Sequence, residues 1–442
     1  MHHRFSEPVK KWSNSTGKLS HWPLKDSFEY YAVLAHRDRL LRGRKLSGAN
    51  TTLSFADGNF TFQINSLGFL HYTTVQLGTP GVKFMVALDT GSDLFWVPCD
   101  CTKCAPTEGT VYASVSQTST SGILVEDVLH LTTEDGHPDS VEAYVTFGCG
   151  QVQSGSFLDV AAPNGLFGLG MEKIAVPSIL SQEGLTADSF SMCFGDDGTG
   201  RISFGDKGSP DQEETSFNLN PSHPTYNVTV TQIRVGTTLI DGGFTALFDS
   251  GTSFTYLVDP TYSNLTVNFH SQTRDSRRPP DSRIPFEYCY DMSPDANASL
   301  IPSMSLTMKG GSHFPVYDPI IVISTQSKLI YCLAVVKSTE LNIIGQNFMT
   351  GYRVVFDRER FVLGWKKFDC YDIEETNTSE EEQHPVSAPP AVAAGIRNYS
   401  TPESTKDVKN NNSLTSVTLR SCHLHVSLPF FFGLVSILTL LS

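Results

Sequence analysis

Two short acidic turns in this chain carry residues that could act together on a peptide bond. The segments "ALDTGSDLF" and "ALFDSGTSF" place Asp89 and Asp249 directly after apolar runs. Two carboxylates at hydrogen-bond distance cannot both ionise, because like-charge repulsion splits their titration into two steps. Such a pair shares one proton, so that the ionised member can take a proton from water while the protonated member polarises a carbonyl. The pattern predicts amide hydrolysis by water, without a metal or a covalent intermediate.

The residues that follow each aspartate could hold it in place. Gly91 and Gly251 permit a close approach of backbone at a sharp turn. Hydroxyl side chains around them can hydrogen-bond the carboxylates and the opposite loop. These hydroxyl residues are Thr90, Ser92, Ser250 and Thr252. A single Asp-Thr-Gly is usually an ordinary β-turn, but two copies between apolar strands disfavour that interpretation.

Each half of the chain repeats a second segment downstream of its aspartate. "NGLFGLG" (164–170) follows the first and "NIIGQNF" (342–348) follows the second. From about Phe55 to Cys370, segments rich in Val, Ile, Thr, Tyr and Phe alternate with turn residues, as strands do. A chain of 442 residues is too long for one ordinary core. We therefore predict a mostly all-β, two-lobed fold with both aspartates at a central cleft.

Composition divides the chain into five segments. We expect a basic, propeptide-like leader at 1–45, β lobes at 46–215 and 216–370, a disordered glycosylated stalk at 371–411 and an apolar signal at 412–442. The leader has ten Lys/Arg against four Asp/Glu. It could bind the acidic body until carboxylates are protonated, or it could simply be solvated. The net charge of −14 argues against a nucleic-acid partner.

Cysteines and glycosylation sequons indicate an oxidising secretory route. There are nine cysteines. The acceptor asparagines are Asn14, Asn50, Asn59, Asn227, Asn264, Asn297, Asn377, Asn398 and Asn411. The apolar run at 426–442 follows small residues that begin at Asn411 and then a polar spacer. This order is typical of a glycolipid (GPI) attachment signal, and a simple tail anchor is the alternative. The first residues contain no apolar signal-peptide core, so we expect the true N-terminus to lie upstream.

Taken together, the motifs resemble those of pepsin-like aspartic endopeptidases. The similar segments are "DTGSDLFWV", "DSGTSFTYL", "GLFGLG", "IIGQNF" and "VVFDRERFVLGW". The runs "VPCDCTKC", "FGCG" and "SFSMCFG" and the leader "HRDRLL" resemble the plant atypical, nucellin-like branch. The resemblance covers residues 30–370. It implies a bilobal fold, a zymogen, a catalytic dyad of Asp89 and Asp249, peptide or protein substrates, a monomer and no cofactor.

The resemblance also implies three disulfides. They are Cys104–Cys149, Cys193–Cys370 and Cys289–Cys332. Cys99 and Cys101 are left over, and with one residue between them a bridge would be strained or absent. Cys101-Thr-Lys-Cys104 could suggest zinc, but neither a second Cys pair nor a nearby His completes four ligands, so we expect no metal.

The interval before the flap departs from the family pattern. The flap is the hairpin that closes over substrate, and the resemblance implies that Trp96 steadies its tyrosine. The best candidate for that tyrosine is Tyr112, 23 residues after Asp89, where the family has several dozen. We expect a deletion between about Cys104 and Val115 that shortens the first lobe. One alternative function is therefore a catalytically impaired protein of this fold. Another is a glycosidase, which needs carboxylates about 5–9 Å apart.

Overall fold

The structure is a computed structural model of the chain. It describes residues 27–28, 53–56, 60–63, 70–103, 119–134, 139–154, 164–220, 224–293, 301–325, 328–368, 370 and 430–431. Most of these residues form strands, so the predicted all-β class is confirmed. The stalk, Tyr112, Cys104 and Asn411 lie outside the described residues, as does the leader apart from 27–28.

The described residues of the first half include the helix α1 (Val176–Gln182). Its strands are β1 (Leu53–Phe55), β2 (Phe60–Gln63), β3 (His71–Leu77), β4 (Val82–Asp89), β5 (Trp96–Lys103), β6 (Ser119–Thr133), β7 (Ser140–Ser154), β8 (Leu166–Gly168), β9 (Ser189–Phe194), β10 (Thr199–Phe204) and β11 (Glu213–Ser216).

The second half contains the helices α2 (Thr261–Gln272) and α3 (Gln346–Met349). Its strands are β12 (Asn227–Val235), β13 (Thr238–Phe248), β14 (Thr255–Val258), β15 (Cys289–Asp291), β16 (Met304–Met308), β17 (His313–Val316), β18 (Ile320–Ser324), β19 (Leu329–Leu333), β20 (Val335–Ser338), β21 (Asn342–Ile344), β22 (Tyr352–Asp357), β23 (Val362–Lys367) and β24 (Phe430–Phe431).

The largest sheet joins strands from both halves. Its order is β1-β6-β7-β5-β8-β4-β3-β2-β10-β9-β22-β23-β11, and β24 pairs with β6. Strand β22 lies antiparallel to β9, with Val354 opposite Met192. The second half therefore returns to the first, and the sheet crosses the boundary that we expected at residue 215.

The second half also forms sheets of its own. One has the order β17-β16-β12-β13-β21-β14-β20, and a smaller one has the order β15-β19-β18. In β12, "NVTVTQIRV" buries mainly its valines and isoleucine, because alternate side chains of a strand point to opposite faces. Helix α2 buries Tyr262, Leu265 and Phe269, whose spacing puts them on one helical face.

Both aspartate turns are built on the same strand arrangement. Strand β4 lies parallel to β8, with Asp89 opposite Gly168. Strand β13 lies parallel to β21, with Phe248 opposite Ile344. The repeated segments "NGLFGLG" and "NIIGQNF" therefore contribute the strands that run beside the two aspartate strands, which explains why the sequence contains both pairs.

The glycine of each repeated segment is required by a close contact. A Cβ on Gly168 would lie 2.4 Å from the carbonyl carbon of Asp93, and a Cβ on Gly345 would lie 2.2 Å from the carbonyl oxygen of Phe254. Both distances are shorter than any van der Waals contact. Only glycine lets the strand lie this close to the loop that follows the aspartate.

Three disulfides appear among the described residues. Cys193–Cys370 and Cys289–Cys332 are the pairs that the resemblance implied. The third joins Cys149 to Cys99, with Cα atoms 5.3 Å apart, so the expected Cys104–Cys149 pair is wrong and a Cys99–Cys101 bridge is excluded. The reason is strand register: β5 and β7 run parallel with Val97 opposite Cys149, which brings Cys99 within bridging distance.

The described residues show neither a metal site nor a membrane-spanning helix. No group of three or more His, Cys, Asp or Glu among them is placed to hold a metal ion. None of their helices has the length and apolar composition needed to cross a membrane.

Candidate active site

Asp89 and Asp249 face each other in a buried site, and neither side chain is exposed to solvent. Each carboxylate lies against the glycine of the opposite turn. A Cβ on Gly251 would be 2.0 Å from Asp89 Oδ1, and a Cβ on Gly91 would be 2.5 Å from Asp249 Oδ1. The two carboxyl groups also contact each other directly. This close pairing does not fit the separation that a glycosidase needs.

The two turns are locked together by the hydroxyl groups that directly follow the aspartates. The backbone N–H of Thr90 donates to Ser250 Oγ at 3.0 Å, and the N–H of Ser250 donates to Thr90 Oγ1 at 2.8 Å. The hydroxyls in turn donate to the opposite strand ends, Thr90 to Phe248 O and Ser250 to Leu88 O. We expected these hydroxyls to reach the opposite loop, and the structure places them there.

The outer hydroxyls and the glycine amides hold the carboxylates themselves. Each aspartate accepts one bond from a hydroxyl three residues later and one from an amide two residues later. The bonds run from Ser92 Oγ to Asp89 Oδ2 (2.5 Å), Gly91 N to Asp89 Oδ1 (2.8 Å), Thr252 Oγ1 to Asp249 Oδ2 (2.7 Å) and Gly251 N to Asp249 Oδ1 (2.8 Å). Both side chains are therefore fixed in orientation.

The environment of Asp89 favours its protonated form. Burial, and then the neighbouring charge of Asp249, raise the pKa of Asp89 to about 7. The hydrogen bonds from Ser92 and Gly91 act in the opposite direction but are outweighed. Asp89 therefore keeps its proton up to near neutral pH, and one proton shared by two adjacent carboxyls is the state needed for acid and base roles at one site.

The repeated strand segments support the turns from behind. Leu169 N donates to Asp89 O at 2.8 Å and Gly170 N donates to Ser92 O at 2.7 Å. In the second half, Gln346 N donates to Thr252 O at 2.9 Å. Each aspartate turn is thus bonded to the apolar-apolar-Gly segment of its own half.

A buried ion pair holds the segment that follows β8 in place. Arg358 Nε lies 3.2 Å from Asp188 Oδ1, and Arg358 Nη2 donates to Ser178 Oγ. Ser178 Oγ donates to Glu172 O, and Glu172 N donates to Asp93 Oδ1 at 2.8 Å. Arg358, in the segment "VVFDRER", therefore stabilises the first aspartate turn indirectly.

Sequence reasoning missed several of these supporting residues. The Tyr226 hydroxyl donates to Leu169 O at 2.7 Å. Gln346 Nε2 donates to Ser250 O in the second turn, and Asn347 Nδ2 donates to Ala334 O at 2.9 Å. The motif "NIIGQNF" contains both amides, so polar residues next to apolar ones were the available signal. Trp96 is buried at the start of β5, but the tyrosine it would steady, Tyr112, lies outside the described residues.

Comparisons with known proteins agree with this geometry. The family model for eukaryotic aspartyl proteases matches residues 70–366. Aspartyl protease family protein 1 of Arabidopsis thaliana is 48% identical over 486 positions, which cover 99% of this chain and 93% of the relative. These positions outnumber the 442 residues here, so the relative has residues without a counterpart in this chain. Aspartic proteinase-like protein 1 of the same plant is 34% identical over 84% of this chain and 80% of its own length.

Solved structures share the fold. Conglutin gamma, a basic 7S globulin from lupine seeds, matches with a TM-score of 0.57 at 20% identity. Basic 7S globulin from soybean matches with the same TM-score at 19% identity. Each match covers 73% of this chain and 96% of the globulin. At this identity the likeness shows the fold alone.

The raised pKa of Asp89 predicts a pH-dependent stability. Because the folded state keeps a proton on Asp89 that the unfolded chain has lost between about pH 4 and 7, the free energy of unfolding falls as pH rises through that window. We expect Asp89→Asn to raise Tm at pH 7.5 by on the order of 5 °C, with the gain vanishing near pH 3.5. Thermal unfolding across pH measures this. Asp188→Asn, which breaks the pair with Arg358, should instead lower Tm, and a lower Tm for Asp89→Asn at pH 7.5 would contradict the prediction.

The contact between Gly251 and Asp89 predicts a local steric effect. Gly251→Ala would place a methyl group 2.0 Å from Asp89 Oδ1, so the carboxylates must separate. We expect a loss of at least about 2 kcal/mol in stability, as for strained buried sites, together with loss of any peptide cleavage. The matched control is Gly243→Ala on β13, where the nearest atom would be 3.8 Å away. Equal unfolding free energies for the two variants would show that the turns are not closely packed.

Proposed function

The chain belongs to the eukaryotic aspartyl protease family, and from that membership and the site we propose that it is an aspartic-type endopeptidase. The supporting observation is the buried pair of Asp89 and Asp249, each in contact with the glycine of the opposite turn. Membership of a protease family implies peptide or protein substrates.

The proposed reaction uses one water and the single proton of the dyad. Ionised Asp249 takes a proton from the water while the water oxygen forms a bond to the peptide carbonyl carbon. Asp89, protonated, gives its proton to the carbonyl oxygen. The resulting tetrahedral intermediate collapses when Asp249 passes its proton to the amide nitrogen, the C–N bond breaks, and Asp89 recovers a proton from a hydroxyl of the intermediate. No covalent bond to the protein forms.

We expect cleavage to depend on both aspartates and on pH. Asp89→Asn or Asp249→Asn should each lower kcat/KM for a peptide by more than about a hundredfold, since neither single carboxyl can supply both proton transfers. Activity should fall as pH rises through the pKa of Asp89, about 7. The measurement is cleavage of a denatured protein from pH 3 to 8, with and without a pepstatin-type inhibitor. Asp241→Asn, an exposed position on β13, is the matched control. Robust cleavage by either dyad variant would reject the proposal.

The same assay tests the alternative, a catalytically impaired protein. It is favoured by the 23-residue interval before Tyr112 and by relative residues that have no counterpart here. The fold also occurs in proteins described as globulins. The assay should therefore include a chain that carries the relative's intervening segment between Cys104 and Val115. Cleavage by that chain alone would support the impaired form, and equal cleavage by both would reject it.

We also propose passage through the secretory pathway and lipid attachment at Asn411. The support is the nine sequons, the disulfides and the order of small residues, spacer and apolar run at the C-terminus. Phosphatidylinositol-specific phospholipase treatment of intact cells should release the protein. Mature protein that still contains Cys422 would instead indicate a tail anchor.

A further inference from the structure

The side chain of Gln346 connects the second aspartate turn to a buried histidine. Its Nε2 donates to the carbonyl oxygen of Ser250, and its Oε1 lies 3.0 Å from His71 Nδ1. A backbone carbonyl oxygen can only accept a hydrogen bond, and the same holds for the oxygen of a side-chain amide. The hydrogen of the second bond must therefore be on His71 Nδ1. All three residues are buried.

The hydrogen-bond chain continues to the catalytic carboxylate. The carbonyl of Ser250 and the N–H of Gly251 belong to one peptide unit, and that N–H donates to Asp249 Oδ1 at 2.8 Å. Hydrogen bonds arranged in line polarise one another, most strongly in a buried site. The direction of donation is the same at every step: from His71 through Gln346 and the peptide to Asp249.

Both ends of this relay are held by the fold. His71 is the first residue of β3, only 2% exposed, and its ring packs edge-on against Phe194 at 5.0 Å between centroids. The backbone of Gln346 is bonded to Thr252 O. The contact between His71 and Gln346 spans 275 positions of sequence, so it joins the two halves of the chain through a residue that is bonded to the second aspartate turn.

The first turn has no equivalent relay from the matching position. The strand registers place Gly168 beside Asp89 and Ile344 beside Phe248, so Leu169 occupies the place that Gln346 occupies in the other half. The leucine side chain has no donor for the carbonyl of Thr90. The surroundings of the two aspartates therefore differ beyond the turns, although within the turns both carboxylates accept the same kinds of hydrogen bond.

We propose that His71 is a positioning residue that acts through Gln346 to stabilise the ionised form of Asp249 and so leaves the dyad proton on Asp89. This deepens the proposed function, on which it rests, because it assigns the base and the acid. The contacts of the His71 ring include Phe194, which packs against it edge-on, and Gln346, whose amide oxygen accepts from Nδ1, and neither of these two side chains carries a charge. Asp249 is faced by Asp89 from the opposite turn and by Gly251 and Thr252 from its own.

The assignment is consistent with the surroundings of Asp89. Burial and the neighbouring carboxylate raise the pKa of Asp89 to about 7, which favours a proton on Asp89. A donor chain that favours charge on Asp249 leaves the proton on Asp89.

The first test is the acid side of the pH profile of kcat/KM in the full chain. Gln346→Leu introduces the residue type that Leu169 provides at the matching position of the first half. His71→Leu removes the hydrogen-bond donor. Both should move the acid-side midpoint upward by about half a pH unit or more, as expected for a weakened hydrogen bond to a charged group. In His71→Asn the side-chain amide can donate in place of Nδ1. This variant should therefore have a midpoint close to that of the wild type. His270→Leu is the matched control, because His270 Nδ1 contacts Tyr290 away from the dyad. An unshifted midpoint in Gln346→Leu and His71→Leu would overturn the proposal.

A second test does not need catalysis. A relay that stabilises ionised Asp249 contributes less at pH 2.5 than at pH 5.5, because protonation in acid removes the negative charge that the donors favour. The loss of Tm caused by Gln346→Leu should therefore be larger at pH 5.5, whereas equal losses would show a purely structural role and overturn the relay. If wild type fails to cleave peptides, the proposed function fails, but this comparison still decides whether the relay exists.

Discussion

The reciprocal hydrogen bonds between Thr90 and Ser250 are the interaction on which the site depends. They bring two aspartate turns together so closely that each carboxylate rests on the opposite glycine. Two like charges in a buried space repel, and neither is solvated by bulk water. The amide and hydroxyl bonds to each carboxylate offset part of this cost, and the shared proton offsets much of the rest. The close pairing on which the proposed catalysis depends is thus also a source of instability at neutral pH.

The strands around the turns provide the rigidity that this arrangement needs. Each aspartate strand lies parallel to a short apolar strand, and the glycines at 168 and 345 allow both to approach the following loop. Tyr226 and the Arg358–Asp188 pair support the first turn from a distance. The central sheet passes through both halves. This continuity holds the two turns in register, because neither half can shift without breaking strand hydrogen bonds.

Similarity of fold and similarity of activity are separate matters in this family. The same architecture at about 20% identity occurs in plant globulins, whereas the more similar plant relatives are described as an aspartyl protease family protein and an aspartic proteinase-like protein. The proposal of protease activity therefore rests on the dyad and on its hydrogen bonds. The 23-residue interval between Asp89 and Tyr112 bears on the proposed substrate binding, because the family resemblance implies a flap in that part of the chain.

The sequence by itself determined the strand-rich fold class, the two aspartate turns with their glycines and hydroxyls, and the apolar-apolar-Gly segments beside them. These features depend on residue type and local spacing, which can be read directly. Tertiary structure alone decided that Cys149 pairs with Cys99 instead of Cys104, that β22 and β23 join the first half's sheet, and that His71 meets Gln346. Each of these depends on the register of strands far apart in sequence, where a shift of one residue changes which side chains meet. The raised pKa of Asp89 likewise comes from burial and from a neighbour in the other half, neither of which local spacing specifies.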